Sequence, residues 1–180
     1  DVQYRKVIAR VNAALGITEA YIKAQSLPLV RECDDLVYAG NDMLARPQQL
    51  AAAALPHWQA LLAQADQDAI ALQLVSAFRS VEYQAALIAE KCNAGRSLED
   101  VLKVNAAPGY SEHHAGTALD LSTPDTEPLS EAFDSTPAFD WLQQHAEAHG
   151  FSMSYGRDNP HALVYEPWHW NWSPGTRSTE

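Results

Sequence analysis

The chain has 180 residues, 47% of them hydrophobic, which suffices for the core of one domain or of one domain with an extension. Its formal net charge of −11 repels phosphate backbones, so the composition argues against a nucleic-acid partner. No apolar run reaches the ~18 residues of a membrane helix, and we therefore expect no membrane span.

The N-terminal half predicts mostly helices, because apolar residues recur at helical spacing between glycine and proline stops. The elements predicted here are a helix over 2–15, a second helix that Thr18 caps and that ends before Pro28, a strand over 34–41, a helix that starts at Pro47 and runs through the alanine run 51–54, and a helix that opens at Pro56 and continues through Leu62.

The C-terminal half mixes the two periods. It predicts a strand over 69–75, a helix over 81–92 capped by Ser80, a shorter helix from Ser97 through Val101, a loop over 106–110, a strand over 117–122, a helix over 137–149 and a last strand over 165–172. No regular βαβ repeat is present, so the order predicts an α+β fold with a central antiparallel sheet and flanking helices. The tail from Ser173 is rich in Pro, Gly, Ser and Thr, and we expect it to be flexible.

The two cysteines, Cys33 and Cys92, lie far apart in the sequence. They can pair in an oxidising compartment or remain two buried thiols, and the sequence leaves both alternatives open. The cysteines therefore assign no compartment.

Two short segments carry groups that bind metals: Ser-Glu-His-His-Ala-Gly-Thr-Ala-Leu-Asp at 111–120 and Glu-Pro-Trp-His-Trp at 166–170. Together they offer two imidazoles and one carboxylate as ligands, with a spare carboxylate three residues before the last histidine. Three protein ligands leave one coordination position for water, as in hydrolytic zinc sites. A structural zinc site is instead closed by four ligands, usually rich in cysteine, and this chain has only two cysteines.

His169 lies beside a stripe of aromatic residues. Pro167 favours an extended backbone, and in a strand Trp168, Trp170 and Trp172 share one face while His169 lies on the other. The tryptophans are typical of core packing. A lone histidine in this position is more often a satisfied core residue, but Glu166 three residues earlier and the second cluster favour a ligand.

Asp120 lies inside an otherwise apolar strand, where an unpaired carboxylate costs on the order of several kcal/mol. A metal ion, a salt bridge or backbone hydrogen bonds can each relieve this cost. In a straight strand His113 and Asp120 would lie on opposite faces, but Gly116 between them permits a bend. The spacing alone does not choose between His113 and His114.

Four other histidines are further candidates for ligands. His145 and His149 are four residues apart on the predicted helix 137–149, a common metal spacing, but the glutamate of an HExxH site is missing. His149 also lies in the last turn, where a cationic histidine interacts favourably with the helix dipole. His57 and His161 have no nearby acidic partner and are interpreted as surface or loop residues.

The pattern Ser111-x-His113-x-x-Gly116-x-Ala118-x-Asp120, followed by Glu166-x-x-His169, resembles the VanY-type D-alanyl-D-alanine carboxypeptidases. These belong to a wider group of zinc peptidases that includes lysostaphin and the hedgehog signalling domain. Segment 76–84 is similar to the family signature Ser-Gly-Tyr-Arg-Ser…Gln, with Ala77 and Phe78 in place of the usual glycine and tyrosine. Gly150-Phe151 before Tyr155 also fits, and the resemblance covers roughly residues 30–172.

The resemblance implies a Zn²⁺ cofactor held by His113, Asp120 and His169. It selects His113 over His114, because only His113 keeps the serine two residues before and the glycine three residues after. It also implies a hedgehog/D-Ala-D-Ala peptidase-like fold, with residues 31–172 as the zinc carboxypeptidase domain, 1–30 as an N-terminal helical extension and 173–180 as a flexible tail.

The remaining site residues also follow from the resemblance. Glu166 is expected to be the general base, and Arg79 to hold the scissile carbonyl oxygen or a substrate carboxylate. Ser111 and Gln84 are expected to seat the C-terminal residue of the peptide. Phe78 lacks the hydroxyl group of the usual tyrosine, so this position cannot fill any role that the hydroxyl has in the family.

The implied function is zinc-dependent D,D-carboxypeptidase activity on the terminal D-Ala-D-Ala bond of peptidoglycan stem peptides. The alternatives are an L,D-carboxypeptidase or a peptidoglycan endopeptidase with the same zinc site and, in another class, a zinc-bearing non-catalytic binding module. Glu166 and Arg79 speak against the binding module. The substrate implies a periplasmic or cell-wall location, with a cytoplasmic one as the alternative, and the sequence does not indicate an oligomeric state.

Overall fold

A computed structural model describes residues 2–175, within which six α-helices and six strands are found. The helices are α1 (Val2–Ala14), α2 (Glu19–Gln25), α3 (Leu55–Gln67), α4 (Val81–Asn93), α5 (Leu98–Lys103) and α6 (Pro137–His145). The strands are β1 (Leu36–Asn41), β2 (Pro47–Ala51), β3 (Gln73–Ser76), β4 (Ala118–Ser122), β5 (Phe151–Met153) and β6 (His169–Trp172). Short 3₁₀ helices cover Glu112–Ala115, Glu131–Ser135 and Ala146–His149.

The strands form two antiparallel sheets. β1 and β2 make a hairpin, while the larger sheet has the order β3-β4-β6-β5. All five residues of β4 are buried, and the register sets Asp120 of β4 opposite His169 of β6 and Ser76 of β3. The predicted α+β fold with a central antiparallel sheet and flanking helices is confirmed.

Two apolar clusters hold these elements together. The larger one packs α3 and α6 against the four-stranded sheet and includes Trp168, Trp170 and Trp172, as the stripe in the sequence predicted. The smaller one joins α2, α4 and α5 around Ile88 and Val101. Each fully buried large side chain of this kind contributes about 1.5–3 kcal/mol.

The two N-terminal helices support the loop that follows α5. Asn12 Nδ2 donates to Pro108 O at 2.9 Å, and Gln25 Nε2 donates to Asn105 O at 3.0 Å. Ile8 of α1 lies so close to Gly109 that a Cβ atom there would meet it at 2.6 Å. This loop borders the candidate site, so α1 and α2 contribute to its position. The boundary of the extension at residue 30 stays a prediction.

The helix predicted from Pro47 through the alanine run is wrong, because Pro47–Ala51 is strand β2. Proline is tolerated at the first residue of a strand, and pairing with β1 outweighs the helix propensity of the alanines. The strand predicted from residue 69 begins only at Gln73, where its partner β4 begins to pair with it.

Three further differences concern the C-terminal half. The helix predicted over 137–149 ends at His145 and continues as a 3₁₀ turn to His149, and Gly150 adopts φ +83°. The last strand covers only His169–Trp172, and the short strand β5 was not predicted.

The remaining expectations concern membrane spans, cysteines and the tail. Over residues 2–175, every helix is too short or too polar to cross a membrane. Cys33 and Cys92 are both free, half-buried thiols. Residues 173–175 have no regular structure, and residues 176–180 of the predicted tail lie outside the described residues.

Candidate metal centre and active site

Three side chains predicted as ligands converge on one point. His113, Asp120 and His169 are all buried, and each offers a ligand atom within 4.8 Å of the ligand atoms of the other two. His113 Nε2 lies 3.2 Å and His169 Nδ1 lies 3.1 Å from the same Asp120 oxygen, Oδ1. Two imidazoles and one carboxylate at these separations suit a divalent metal ion with an open coordination position.

The local backbone explains how His113 and Asp120 meet. Ser111 caps a 3₁₀ helix by accepting a hydrogen bond from His113 N, and Gly116 ends this helix with φ +66°. A Cβ atom at Gly116 would lie 2.8 Å from Ala51 N, so a side chain does not fit there. The chain therefore turns sharply into β4, which is the bend that Gly116 was expected to permit.

Hydrogen bonds to backbone groups distinguish the two adjacent histidines. His113 Nδ1 donates to Ala77 O at 2.6 Å, which leaves the lone pair of Nε2 facing Asp120. Burial, with Arg79 nearby, lowers the pKa of His113 to about 4, so its ring is neutral at pH 7. His114 instead donates from Nδ1 to Arg79 O and accepts from Gly109 N at Nε2, so both its nitrogens are occupied by backbone.

The His169 ring lies between two carboxylates. Its Nδ1 atom faces Asp120, while its Nε2 atom lies 2.7 Å from Oε2 of Glu112. Ser154 Oγ donates to the same glutamate oxygen at 2.7 Å. Burial lowers the pKa of His169, but the hydrogen bonds to Asp120 and Glu112 outweigh it and raise the pKa to about 10. Both carboxylates thus favour positive charge at this position.

Asp120 is ionised although it is buried. Burial raises the pKa of its carboxyl group, but His113, His169 and the Arg79 guanidinium together lower it well below its usual range. Arg79 Nη2 lies 3.7 Å from Asp120 Oδ2. The carboxylate is therefore available as a metal ligand at any pH near neutrality.

Glu166, the predicted general base, is buried beside the ligands but outside their group. Its Oε2 atom lies 3.9 Å from His169 Nδ1. Burial raises the pKa of its carboxyl group to about 7, with Asp120 and Glu112 adding to the rise and His169 and Arg79 opposing it. A carboxyl group with such a pKa can both accept and return a proton near neutral pH.

One cavity, of about 380 Å³, adjoins the three ligands and Glu166. Its lining also includes Arg79, Gln84 and Ser111. Two buried polar atoms in this group have no hydrogen-bond partner among the described residues: the donor Arg79 Nε and the acceptor Gln84 Oε1. Gln84 Nε2 donates to Ala106 O at 2.8 Å, which fixes the orientation of its amide. Ser111 is used as a helix cap and also lines the cavity.

The other histidines lie elsewhere. His145 Nδ1 and His149 Nε2 both contact the Gln64 side chain, at 3.2 and 2.7 Å. His57 packs against the Trp172 ring, and His161 Nδ1 donates to a backbone carbonyl oxygen of α2. These four are not in the group of ligands that the structure brings together.

Comparison with known proteins agrees with this geometry. The family described as D-alanyl-D-alanine carboxypeptidase, VanY, matches residues 47–175, which is most of the chain. The chain belongs to the VanY family.

One relative is the carboxypeptidase-like protein YodJ of Bacillus subtilis (strain 168). It is 33% identical to this chain over 101 residues. The match covers 54% of this chain and 37% of YodJ, so the chain spans little more than a third of that relative's length.

Two solved structures share the fold. The LdcB LD-carboxypeptidase, whose structure concerns peptidoglycan recognition, has 26% identity and a TM-score of 0.70 over 81% of this chain and 71% of its own. The D,D-pentapeptidase VanY from a VanB-type vancomycin resistance cassette, solved in complex with Zn(II), has 20% identity and a TM-score of 0.56 over 83% and 80% of the two chains. At 20% identity this second likeness concerns the fold alone.

In this VanY-family chain, sequence reasoning missed two side chains near the ligands. Glu112 lies within the predicted motif, but its contact with His169 depends on the pairing of β4 with β6. Tyr155 was noted only as part of the resemblance; its ring packs on His169 with centroids 4.8 Å apart. Their signal in the sequence is their proximity to the motifs, which does not specify a contact.

Proposed function

We propose that this chain is a zinc-dependent D,D-carboxypeptidase that hydrolyses the terminal D-Ala-D-Ala bond of peptidoglycan stem peptides. The observation that carries the proposal is the convergence of two imidazole nitrogens on one Asp120 oxygen, beside a carboxyl group whose pKa is raised to about 7. The family match and the Zn(II) in the related VanY structure support the choice of metal and reaction.

In this proposal His113 Nε2, Asp120 and His169 Nδ1 hold the metal ion. When bound, zinc supplies a Lewis acid that polarises a carbonyl group and activates water at neutral pH. Ala77 O and Glu112 fix the two imidazole rings through their outward-facing nitrogens. Such contacts orient metal-binding histidines and raise their basicity.

Glu166 is the proposed general base. It accepts a proton from the attacking water and returns it to the amine that leaves, which requires a pKa near the working pH. A buried carboxyl group with a pKa of about 7 meets this requirement.

Arg79 is the proposed stabiliser of negative charge. Its Nε–H has no partner among the described residues, and its Nη2 atom forms an ion pair with Asp120 Oδ2 at 3.7 Å, beside the other metal ligands. Donors of this kind, aimed at the carbonyl oxygen, contribute about 100- to 1000-fold in rate. Gln84 and Ser111 border the same cavity and are proposed to seat the C-terminal residue.

A second candidate is L,D-carboxypeptidase activity, which removes the last residue of the tetrapeptide stem. The LdcB LD-carboxypeptidase, with 26% identity and a TM-score of 0.70, favours it. Both substrates in cross-linked form lie outside the cytoplasmic membrane, so a periplasmic or wall-associated location is part of the proposal.

The test is to incubate the zinc-loaded protein with pentapeptide and tetrapeptide muropeptides and to identify the released amino acid. Release of D-Ala from the pentapeptide supports the D,D activity, and release from the tetrapeptide alone supports the L,D activity. Cleavage of cross-linked dimers alone indicates an endopeptidase. If no peptide is cleaved while zinc is bound, the enzyme proposal is wrong and a binding module remains.

A further inference from the structure

The cavity that contains the metal ligands carries two more cationic groups, Lys91 and Arg96, which the proposed mechanism does not use. Lys91 lies in α4 two helical turns after Gln84, so both side chains project from the face that lines the cavity. The cavity is thus more positive than the protein as a whole, whose net charge is −11.

Lys91 is held in a defined place. Its half-buried side chain donates from Nζ to Asn105 Oδ1 at 3.0 Å. Asn105 is itself buried and fixed, because its Nδ2 donates to Val101 O at 2.7 Å and its backbone oxygen accepts from Gln25 Nε2 at 3.0 Å. Gln25 of helix α2 thus helps to position Asn105, which in turn positions the Lys91 ammonium.

Within residues 2–175, no carboxylate lies within 4.0 Å of the Lys91 ammonium. Two other lysine and arginine side chains show the contrast, because Lys103 pairs with Asp100 at 2.9 Å and Arg46 pairs with Asp42 at 2.7 Å. Burial lowers the pKa of Lys91, Arg96 and Arg79 add to this, and the more distant Glu166 carboxylate opposes it. A partly buried ammonium has three donors, and an anionic oxygen is the partner that would satisfy them best.

A second groove, of about 490 Å³, meets the cavity at a shared wall that includes Arg79, Asp120 and Leu129. The positive charge that lines only this groove is Arg46, which Asp42 neutralises. A peptide that crosses the ligands therefore meets, on one side only, an ammonium group with no carboxylate in contact with it. An anionic peptide end is therefore attracted to the cavity with Lys91 more than to the larger groove.

We propose that Lys91, with Arg96 beside it, forms an anion-binding subsite for the carboxylate of the residue that is released. This inference rests on the proposed carboxypeptidase function and assigns the terminal carboxylate to Lys91, which leaves Arg79 to the carbonyl oxygen. The subsite selects peptides with a free C-terminal carboxylate and so favours removal of a terminal residue over internal cleavage.

The test compares a stem pentapeptide that ends in D-Ala-D-Ala with the same peptide as its C-terminal amide. For the zinc-loaded wild type we expect KM to be about 10- to 100-fold lower for the acid than for the amide, as for a hydrogen bond to a charged group. Lys91→Met should raise KM for the acid by a similar factor. It should change kcat for the acid, and KM for the amide, very little. Lys91→Arg should restore most of the preference, and the exposed Lys103→Met is the matched control.

Two results would overturn the subsite. In the first, Lys91→Met keeps the wild-type KM values for the acid and the amide. In the second, it raises KM for both peptides equally, which would mean that Lys91 only supports Asn105. If circular dichroism shows that Lys91→Met does not fold, Arg96→Met replaces it. Arg96 is exposed, so its replacement should not disturb folding. Arg96→Met should reduce the ratio of KM for the amide to KM for the acid, and an unchanged ratio overturns the proposal.

Binding separates the subsite from the reaction. Calorimetry with the zinc-loaded protein compares the dipeptide D-Ala-D-Ala with its amide, without reliance on turnover. Preference for the acid without hydrolysis of any peptide means that the proposed function is wrong while the subsite stands. Hydrolysis of the acid and the amide with equal efficiency means that the proposed function stands while the subsite is wrong.

Discussion

The Nε2 atom of His169 lies 2.7 Å from Oε2 of Glu112, while the Nδ1 atom of the same ring faces Asp120. The glutamate therefore sets which nitrogen is turned toward the proposed metal. It is held in turn by Ser154, so the orientation of the ring is defined over two layers of hydrogen bonds. Glu112 follows Ser111 directly, and the segment that supplies one ligand thus also orients another.

Glu112→Gln should weaken metal binding, because an amide orients the imidazole less firmly and makes it less basic than a carboxylate does. We expect a loss of about 10- to 100-fold in zinc affinity. Competition with a chromophoric chelator measures it. The exposed Glu127→Gln is the control and should leave the affinity unchanged. Equal affinities for both variants would show that Glu112 does not act through His169.

Glu166→Gln should keep the metal and lose turnover, since its carboxylate lies outside the ligand group but is the proposed proton carrier. The expected loss in kcat is about 100- to 10,000-fold. Zinc content by atomic absorption and D-Ala release by chromatography are measured on the same sample. Activity close to that of the wild type would mean that another group takes the proton.

The adjacent histidines should differ in what their removal affects. His113→Ala should lose zinc, because it removes one of three ligands. His114→Ala should retain zinc but lower the free energy of unfolding by about 1–3 kcal/mol, because Gly109 N and Arg79 O lose their buried partner. Zinc content and urea unfolding of both variants check this. Loss of zinc from the folded His114 variant would reverse the assignment of the ligand.

Asp42 should make stability depend on pH. Its carboxylate accepts hydrogen bonds from the backbone N–H groups of Leu44 and Arg46 and from the Arg46 and Gln48 side chains. Burial raises the pKa of Asp42, but these hydrogen bonds and the Arg46 charge outweigh it and lower the pKa. The stabilisation is therefore present above the unfolded pKa of about 3.9 and is lost as the pH falls through the folded pKa.

Asp42→Asn should accordingly reduce the free energy of unfolding at pH 7 by about 1–3 kcal/mol. The difference from the wild type should shrink in acid, as the wild-type carboxyl group becomes protonated. Urea unfolding from pH 7 to pH 3 measures this, with the exposed Asp158→Asn as the control. A difference that stays constant over this range contradicts the assignment.

The sequence predicted the fold class and most helices, because helix caps such as Ser80 and Ser97 act locally. It failed at Pro47, where the partner strand β1 decides the structure and no local signal reveals it. The candidate ligands were predicted because two compact motifs resemble those of the VanY family; spacing alone left the choice between His113 and His114 open. The contact of Glu112 with His169 was not, since it requires the register of β4 and β6.

Asp120 and His169 are direct partners across an antiparallel ladder, although 49 positions separate them along the chain. Their spacing is therefore set by backbone pairing and does not depend on the length of what connects them. Within the connection after β4, the exposed Leu129 borders both the cavity and the groove and takes no part in this pairing. We therefore expect changes at this exposed rim to alter the preference for a substrate during evolution more readily than they alter the spacing of the ligands in the proposed active site.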